Sequence, residues 1–327
     1  MKPNLKIICS TLIILITIFF LTIYVTTHIS DFKTLSNIGL SNFYFIFLIF
    51  IFNITFIILN GLYLDILMKP FGLKLKQRES FGLSVVTNFY NTITPFKGGM
   101  AARAVYLKKK YNFSYLHFFA IFSAVYLLVF LISAITGLIS MIYLYLVYGL
   151  FDQIIFFIFL GIFIFMLLII IFSPKFNENK NKWINRVIKV INGWHLIKNN
   201  KKTIFITVLI SLIQLILGTL STIITYSIFG VEIDFFKALF IASIGSLSIL
   251  ISITPGNLGI GDAINVFSAT IVGIGTTEAV AATVLGRVIG LIVILILGPI
   301  FSYILMKDIN KKEIKEIKEE VKNEANN

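Results

Sequence analysis

Two short phrases and two arginines are the residues of this chain whose types and spacing suit the binding of an anion. Both phrases begin Ile-Thr-Pro and are rich in glycine; they cover residues 93–99 and 253–262, about half a chain length apart. Proline removes a backbone donor and glycine allows close backbone approach, so each phrase predicts a broken helix. Free N–H groups at a helix start and the guanidinium groups of Arg103 and Arg287 are both suited to phosphate.

The surroundings of the two phrases indicate a membrane. The chain has 327 residues, of which 58% are hydrophobic and only 13% are charged, and several apolar runs are long enough to cross a bilayer. At membrane depth, irregular backbone is tolerated only where it is buried in protein or lines a cavity. Paired Gly/Pro interruptions in the two halves of a membrane protein therefore point to a transport site.

The apolar runs predict an all-α polytopic membrane protein with about six transmembrane helices and two re-entrant hairpins. The hairpins are expected at residues 81–96 and 238–275, around the two phrases. The predicted spans cover residues 5–25, 43–64, 113–148, 154–172, 203–229 and 279–306. We predict one membrane domain over residues 1–306 and a charged tail over residues 307–327.

The distribution of charge predicts how the two halves are oriented. The loops around residues 69–78 and 173–202 are strongly basic, as cytoplasmic loops are, whereas residues 230–237 are acidic overall. On this basis the first hairpin enters from the cytoplasm and the second from outside. Half one (about 1–150) and half two (about 151–306) then form an inverted-topology repeat in the cell membrane, with cytoplasmic N- and C-termini.

Three structural alternatives stay open at this stage. The segments 81–96 and 238–275 are either re-entrant or cross the membrane fully. Residues 113–148 form either one long helix, which we prefer, or two joined helices. The amphipathic pattern of Trp183–Ile197 fits a helix lying in the membrane surface or one packed on the protein itself.

Two sets of residues resemble the lysylphosphatidylglycerol synthase transmembrane-region family, whose members are also called flippase-like domain proteins. They are Asn88, Thr94-Pro95-x-x-Gly98 and Arg103 in the first half, and Thr254-Pro255-Gly256-x-x-Gly259-x-x-Asp262 and Arg287 in the second. The family pattern has glycine where this chain has Asn257, and glutamate where it has Asp262. The resemblance implies a protein that moves phospholipid or glycolipid headgroups between leaflets. It also implies no enzyme activity, since the aminoacyl-transferase domain of full-length members is expected to be absent.

We expect the substrate to contact residues of both phrases and both arginines. These candidates are Asn88, Thr94, Pro95, Gly98, Gly99, Arg103, Pro255, Gly256, Gly259, Gly261, Asp262 and Arg287. Arg287 has Asp262 and Glu278 as possible partners, or it extends to the membrane surface. The glycines either contact the substrate or serve close helix packing. No catalytic residue, metal site or cofactor is predicted.

The expected partners are membrane lipids, anionic or glycosylated, and not nucleic acid. An alternative function is a non-transporting scaffold for a glycosyltransferase or another enzyme that synthesises envelope lipids.

Overall fold

The computed structural model describes residues 42–172, 176–177 and 182–324, and every regular element in this part of the chain is helical. We number the ten α-helices in chain order. They are α1 (Phe43–Met68), α2 (Gln77–Ile93), α3 (Gly98–Tyr111), α4 (Tyr115–Tyr148), α5 (Gln153–Phe172), α6 (Lys182–Asn199), α7 (Lys201–Ile228), α8 (Phe235–Leu247), α9 (Ile260–Ile271) and α10 (Thr276–Glu324).

Five helical segments of the described chain are long and apolar enough to cross a membrane. They are Phe43–Phe71, Tyr115–Tyr148, Gln153–Phe172, Lys201–Ile228 and Thr276–Ile309. Five of the six predicted spans correspond to these segments, and the sixth, residues 5–25, lies outside the described residues. The prediction of an all-helical multi-pass protein is confirmed.

Helix α4 is one continuous helix of 34 residues, as we preferred. Its N-cap is Ser114, whose side chain accepts a hydrogen bond from the Leu116 N–H, and its C-cap is Gly149, where φ is +66°. Gly137 does not break the helix. It lies against the Phe159 ring of α5, where a Cβ would collide with that ring, so the glycine allows α5 to pack closely.

Two helical hairpins pack among the long helices: α2 with α3, and α8 with α9. The base of the first hairpin lies near the end of the apolar part of α10, because Lys110 of α3 pairs with Asp308 and with Glu79 of α2. The base of the second lies near the end of α4, where Phe236 stacks on Tyr143. Helix α4 starts directly after the first hairpin and is roughly 50 Å long, so the two bases lie at different ends of the bundle.

Helix α6 packs on the protein through the described side chains of its second half. Ile188, Trp194 and Ile197 are buried, and Gly193 lies against Ala120 of α4. Of the two alternatives for this amphipathic segment, packing on the protein's own helices therefore applies to this half.

Helix α10 continues without interruption to Glu324, although Pro299 lies inside it. Residues 307–324 of the predicted charged tail are thus a helical continuation of the last span.

Candidate functional site

The two Ile-Thr-Pro phrases adopt matching backbone conformations. Thr94 and Thr254 are extended, with ψ of 146° and 154°, because a residue that precedes proline is driven out of the helical region. The next two residues after each proline then have positive φ: 54° and 55° at Phe96 and Lys97, and 59° and 57° at Gly256 and Asn257.

The left-handed conformation is costly for the first phrase and easy for the second. Glycine and asparagine adopt positive φ readily, whereas phenylalanine and lysine rarely do. Phe96 and Lys97 are therefore held in place by tertiary contacts, which the neighbouring phrase supplies.

The two phrases contact each other, although the side chains of Phe96 and Ile253 are exposed. The Phe96 N–H donates to the Ile253 carbonyl at 3.1 Å, and the Lys97 Nζ donates to the Ile249 carbonyl at 2.7 Å. Gly256 lies beside Thr92, where an added Cβ would be 3.5 Å from the Thr92 Cα. The tips of the two hairpins, far apart in sequence, thus touch each other through main-chain atoms.

A cavity of about 540 Å³ lies beside the meeting point, between the hairpins and helices α1, α4 and α7. Its volume is within the range of small-molecule binding sites. One part of its lining is apolar and aromatic, including Phe56, Phe118 and Phe122. The polar part consists of side-chain amides and hydroxyls and two cations, which are Asn60, Asn88, Asn91, Gln214, Asn257, Thr87, Thr222, Tyr63, Tyr126, Ser133, Ser211, Ser246, Ser252, Lys97 and Arg103.

Arg103 extends from α3 to this cavity and contacts α2 on the way. Its Nε donates to the Thr87 hydroxyl at 2.7 Å, while the same hydroxyl donates to the Leu83 carbonyl at 2.6 Å. Among the described residues, no carboxylate forms an ion pair with this guanidinium. Its terminal nitrogens, with four of the five N–H donors, are therefore available to a ligand in the cavity.

Arg287 has a different environment, and it lies in an apolar run of α10, whereas the helix of Arg103 has three lysines in its last turn. Its Nε donates to the Asp262 carboxylate at 2.8 Å, a second donor contacts the same oxygen, and Nη1 donates to the Gly256 carbonyl at 2.9 Å. The other oxygen of Asp262 accepts from the Gly259 N–H at 3.0 Å and caps α9. Of its two predicted partners, Arg287 thus pairs with Asp262.

Arg287 and Asp262 line a second cavity of about 250 Å³, which lies between α7, the second hairpin and α10. Thr222, Ala242 and Gly245 line both cavities, so the two are adjacent. In the second cavity the cation and the carboxylate balance each other.

Of the twelve predicted site residues, three line the larger cavity: Asn88, Arg103 and Gly256. Asp262 and Arg287 line the second cavity, and the other seven residues lie at the two helix breaks. The two prolines break the helices, and Thr94 donates its hydroxyl to the Tyr90 carbonyl at 2.5 Å. Gly98 and Gly99 lie so close to Thr94 and Thr87 that a Cβ would collide with them, which is the close-packing role considered above.

The two glycines near the start of α9 have separate roles. Gly259 has φ of +77° and precedes the helix, and an added Cβ on Gly261 would be 2.5 Å from the Asn257 amide nitrogen. The predicted substrate contacts of these supporting residues stay predictions.

Several cavity residues were not singled out from the sequence. Tyr126 lies in the middle of an apolar run, where nothing in the pattern distinguishes it, yet its hydroxyl accepts from the Lys97 Nζ at 3.0 Å. Asn60 and Gln214 form a hydrogen bond with each other at 3.2 Å, which links α1 to α7, and both also line the cavity. Only their polarity within predicted spans could have indicated that position.

A separate polar cluster joins the base of the first hairpin to α10. Glu79 is only 4% exposed, and it accepts hydrogen bonds from the hydroxyls of Tyr106 and Tyr111, both at 2.5 Å. Lys110 lies 3.0 Å from the same carboxylate and 3.5 Å from Asp308. Burial, together with the Glu79 carboxylate, raises the pKa of both tyrosines, so these phenols stay protonated and act as donors.

Fold and site together define a multi-pass helical membrane protein with two broken hairpins around a cationic cavity. The lysylphosphatidylglycerol synthase TM region family matches residues 7–298, which is most of the chain. The chain therefore belongs to this family, as its two motifs indicated. No curated protein and no solved structure showed a significant match to it.

Proposed function

We propose that this protein is a flippase or transporter that moves the headgroups of phospholipids or glycolipids between the leaflets of the cell membrane. The observation that carries the proposal is the cavity of about 540 Å³, which Lys97 and Arg103 line together with apolar and aromatic side chains. A lipid crossing the membrane needs such a compartment, because its polar headgroup must be solvated at membrane depth while its acyl chains stay in apolar surroundings.

The hairpins support this function by their arrangement. In the proposed topology both are re-entrant, the first from the cytoplasm and the second from outside, and the two halves form an inverted repeat. The contact between Phe96 and Ile253 then closes the path at the middle of the membrane, with the cavity beside it. Rearrangement of the two tips relative to each other would open the cavity to either leaflet in turn, as in other transporters built from inverted repeats.

The topology can be tested with single cysteines at the exposed bases of the hairpins. Cys9 is the only cysteine of the chain, so Cys9→Ala gives a cysteine-free background. In that background we expect Lys74→Cys to react with a membrane-impermeant thiol reagent only from the cytoplasmic side and Thr277→Cys only from outside. Labelling of both positions from the same side would contradict the inverted arrangement.

The function itself is tested by reconstitution into liposomes. The measurement is the rate at which fluorescent phospholipids and glycolipids become accessible to an impermeant quencher, compared with protein-free vesicles. Gly218 of α7 lines the cavity, and an added Cβ would lie 3.8 Å from its nearest neighbour, the Phe56 ring, so Gly218→Leu places a side chain in the cavity. Gly161 of α5 has no neighbouring atom within 4 Å, and Gly161→Leu is the matched control.

We expect wild type and Gly161→Leu to move lipid, and Gly218→Leu to be slow although it folds. If no lipid moves faster than in protein-free vesicles, the proposal fails. Co-purification of an envelope-lipid enzyme that is lost on deletion of residues 307–327 would then favour the scaffold function.

A further inference from the structure

The balance of charge in the larger cavity is uneven. Lys97 and Arg103 line it, and none of its described lining residues is an aspartate or a glutamate. Two cations without a counter-ion in a partly enclosed compartment repel each other and any further cation, and they attract an anion.

The comparison between the two arginines shows that this imbalance is specific to the larger cavity. Arg287 is neutralised by Asp262, and a main-chain carbonyl takes a further donor. Arg103 makes one hydrogen bond to a neutral hydroxyl, that of Thr87. A buried charge is costly without a partner, so a chain that pairs one arginine and not the other leaves the second for a ligand.

Lys97 is held toward the same space by neutral groups alone. Its ammonium donates to the Tyr126 hydroxyl and the Ile249 carbonyl, and it lies 4.9 Å from the centre of the Tyr126 ring. An ammonium has three N–H donors, so one remains after these two hydrogen bonds. None of these contacts cancels its charge.

We propose that the cavity selects lipids by the net charge of the headgroup, binding anionic phosphate headgroups and rejecting those that carry an additional ammonium group. Arg103 contacts the phosphate with its two terminal nitrogens, Lys97 adds its third donor, and the side-chain amides of Asn60, Asn88 and Gln214 serve headgroup hydroxyls. An aminoacylated headgroup brings a cation into a cavity that offers it no carboxylate. The selectivity rests on the proposed function, but it is measurable by binding alone.

The first experiment measures binding to the full chain in nanodiscs of phosphatidylcholine. The probes are phosphatidylglycerol, which is anionic, and lysylphosphatidylglycerol, which carries added ammonium groups. We expect phosphatidylglycerol to bind at least tenfold more tightly. Arg103→Gln removes a charge-assisted contact and should weaken its binding about ten- to one-hundredfold. Lys237→Gln removes a cation that lies over the Tyr148 ring, outside the cavity lining, and should leave binding unchanged.

A second variant tests the charge balance without removing either cation. Asn91 lines the cavity one helical turn after Thr87, the residue that holds Arg103, so Asn91→Asp adds a carboxylate of nearly the same shape on that face. We expect it to weaken phosphatidylglycerol binding at least tenfold, to narrow the preference over lysylphosphatidylglycerol, and to raise the unfolding temperature by pairing with Arg103. The rise in unfolding temperature separates this result from misfolding.

Three outcomes would overturn the inference. The first is equal binding of the two lipids by wild type, and the second is an unchanged preference in folded Asn91→Asp. The third is competition by free glycerol 3-phosphate as effective as that of the lipid, because the ligand would then be a soluble phosphate. Equal movement of both lipids in liposomes would refute the selectivity and leave the flippase proposal intact. Selective binding without any movement would refute the flippase proposal and leave the selectivity intact.

Discussion

The ion pair between Arg287 and Asp262 gives a sharp test of what the second phrase does. Their side chains are 16% and 14% exposed, so both charges are largely removed from solvent. Asp262→Asn keeps an oxygen that can cap the Gly259 N–H, but it leaves the guanidinium with only the Gly256 carbonyl. Removing one partner of a buried pair costs about 3–5 kcal/mol, and we expect the lower end of that range because both side chains keep some exposure.

The double variant Asp262→Asn/Arg287→Gln removes both charges and leaves two amides that can bond to each other. We expect it to recover all but about 1 kcal/mol of the loss in Asp262→Asn, because a neutral hydrogen bond replaces the ion pair. The measurement is the free energy of unfolding in mixed micelles, taken for the wild type, each single variant and the double variant as a double-mutant cycle.

The reasoning is refuted if the double variant is no more stable than Asp262→Asn. The headgroup preference in lipid movement separates two roles of Arg287, because the sequence also predicts that Arg287 contacts the substrate. If Arg287 only holds the Gly256 tip in place, the double variant should keep the headgroup preference of the wild type. Loss of that preference in Arg287→Gln and in the double variant, but not in Asp262→Asn, would establish Arg287 as a headgroup ligand.

Two further predictions concern the first hairpin. Glu79→Gln leaves two tyrosine hydroxyls and a lysine without their carboxylate, so we expect a loss of about 1.5–3 kcal/mol in the free energy of unfolding. Lys108→Gln, on the exposed side of α3, should change this free energy little. Equal stability of both variants would contradict the role of Glu79 in joining the first hairpin to α10. Gly99→Ala should destabilise the protein and slow lipid movement, because its Cβ would collide with the Thr87 carbonyl. Gly161→Ala has open space beside it and should be neutral or slightly stabilising in thermal unfolding. A tolerated Gly99→Ala would show that α2 and α3 can separate at no cost.

Much of the fold was predictable because it depends on local chemistry. The apolar runs are long enough to dictate spans on their own, and five of them are present as helices. The breaks at Pro95 and Pro255 follow from the missing N–H of proline and the extended conformation that it imposes on the preceding threonine. The continuity of α4 through Gly137 was also predictable, since a single glycine costs a long helix only about 1 kcal/mol.

The composition of the cavity was less predictable, because residues from helices far apart in sequence line it. Tyr126 looks like any other aromatic residue of an apolar run, and it became a cavity residue only because α4 passes beside Lys97. The contact between Phe96 and Ile253 is likewise a consequence of packing, and neither residue carries a signal of it in the sequence.

The two arginines show the boundary between sequence and tertiary structure most clearly. The sequence by itself determined that each arginine follows a break at a proline and that Arg287 is costly in its apolar run, because both properties belong to the residue and its neighbours. Only the tertiary structure decided that Arg287 is paired with Asp262 and that Arg103 faces the larger cavity without a carboxylate. Charge compensation depends on distances of a few ångströms between separate helices, and these distances are set by how the two hairpins pack.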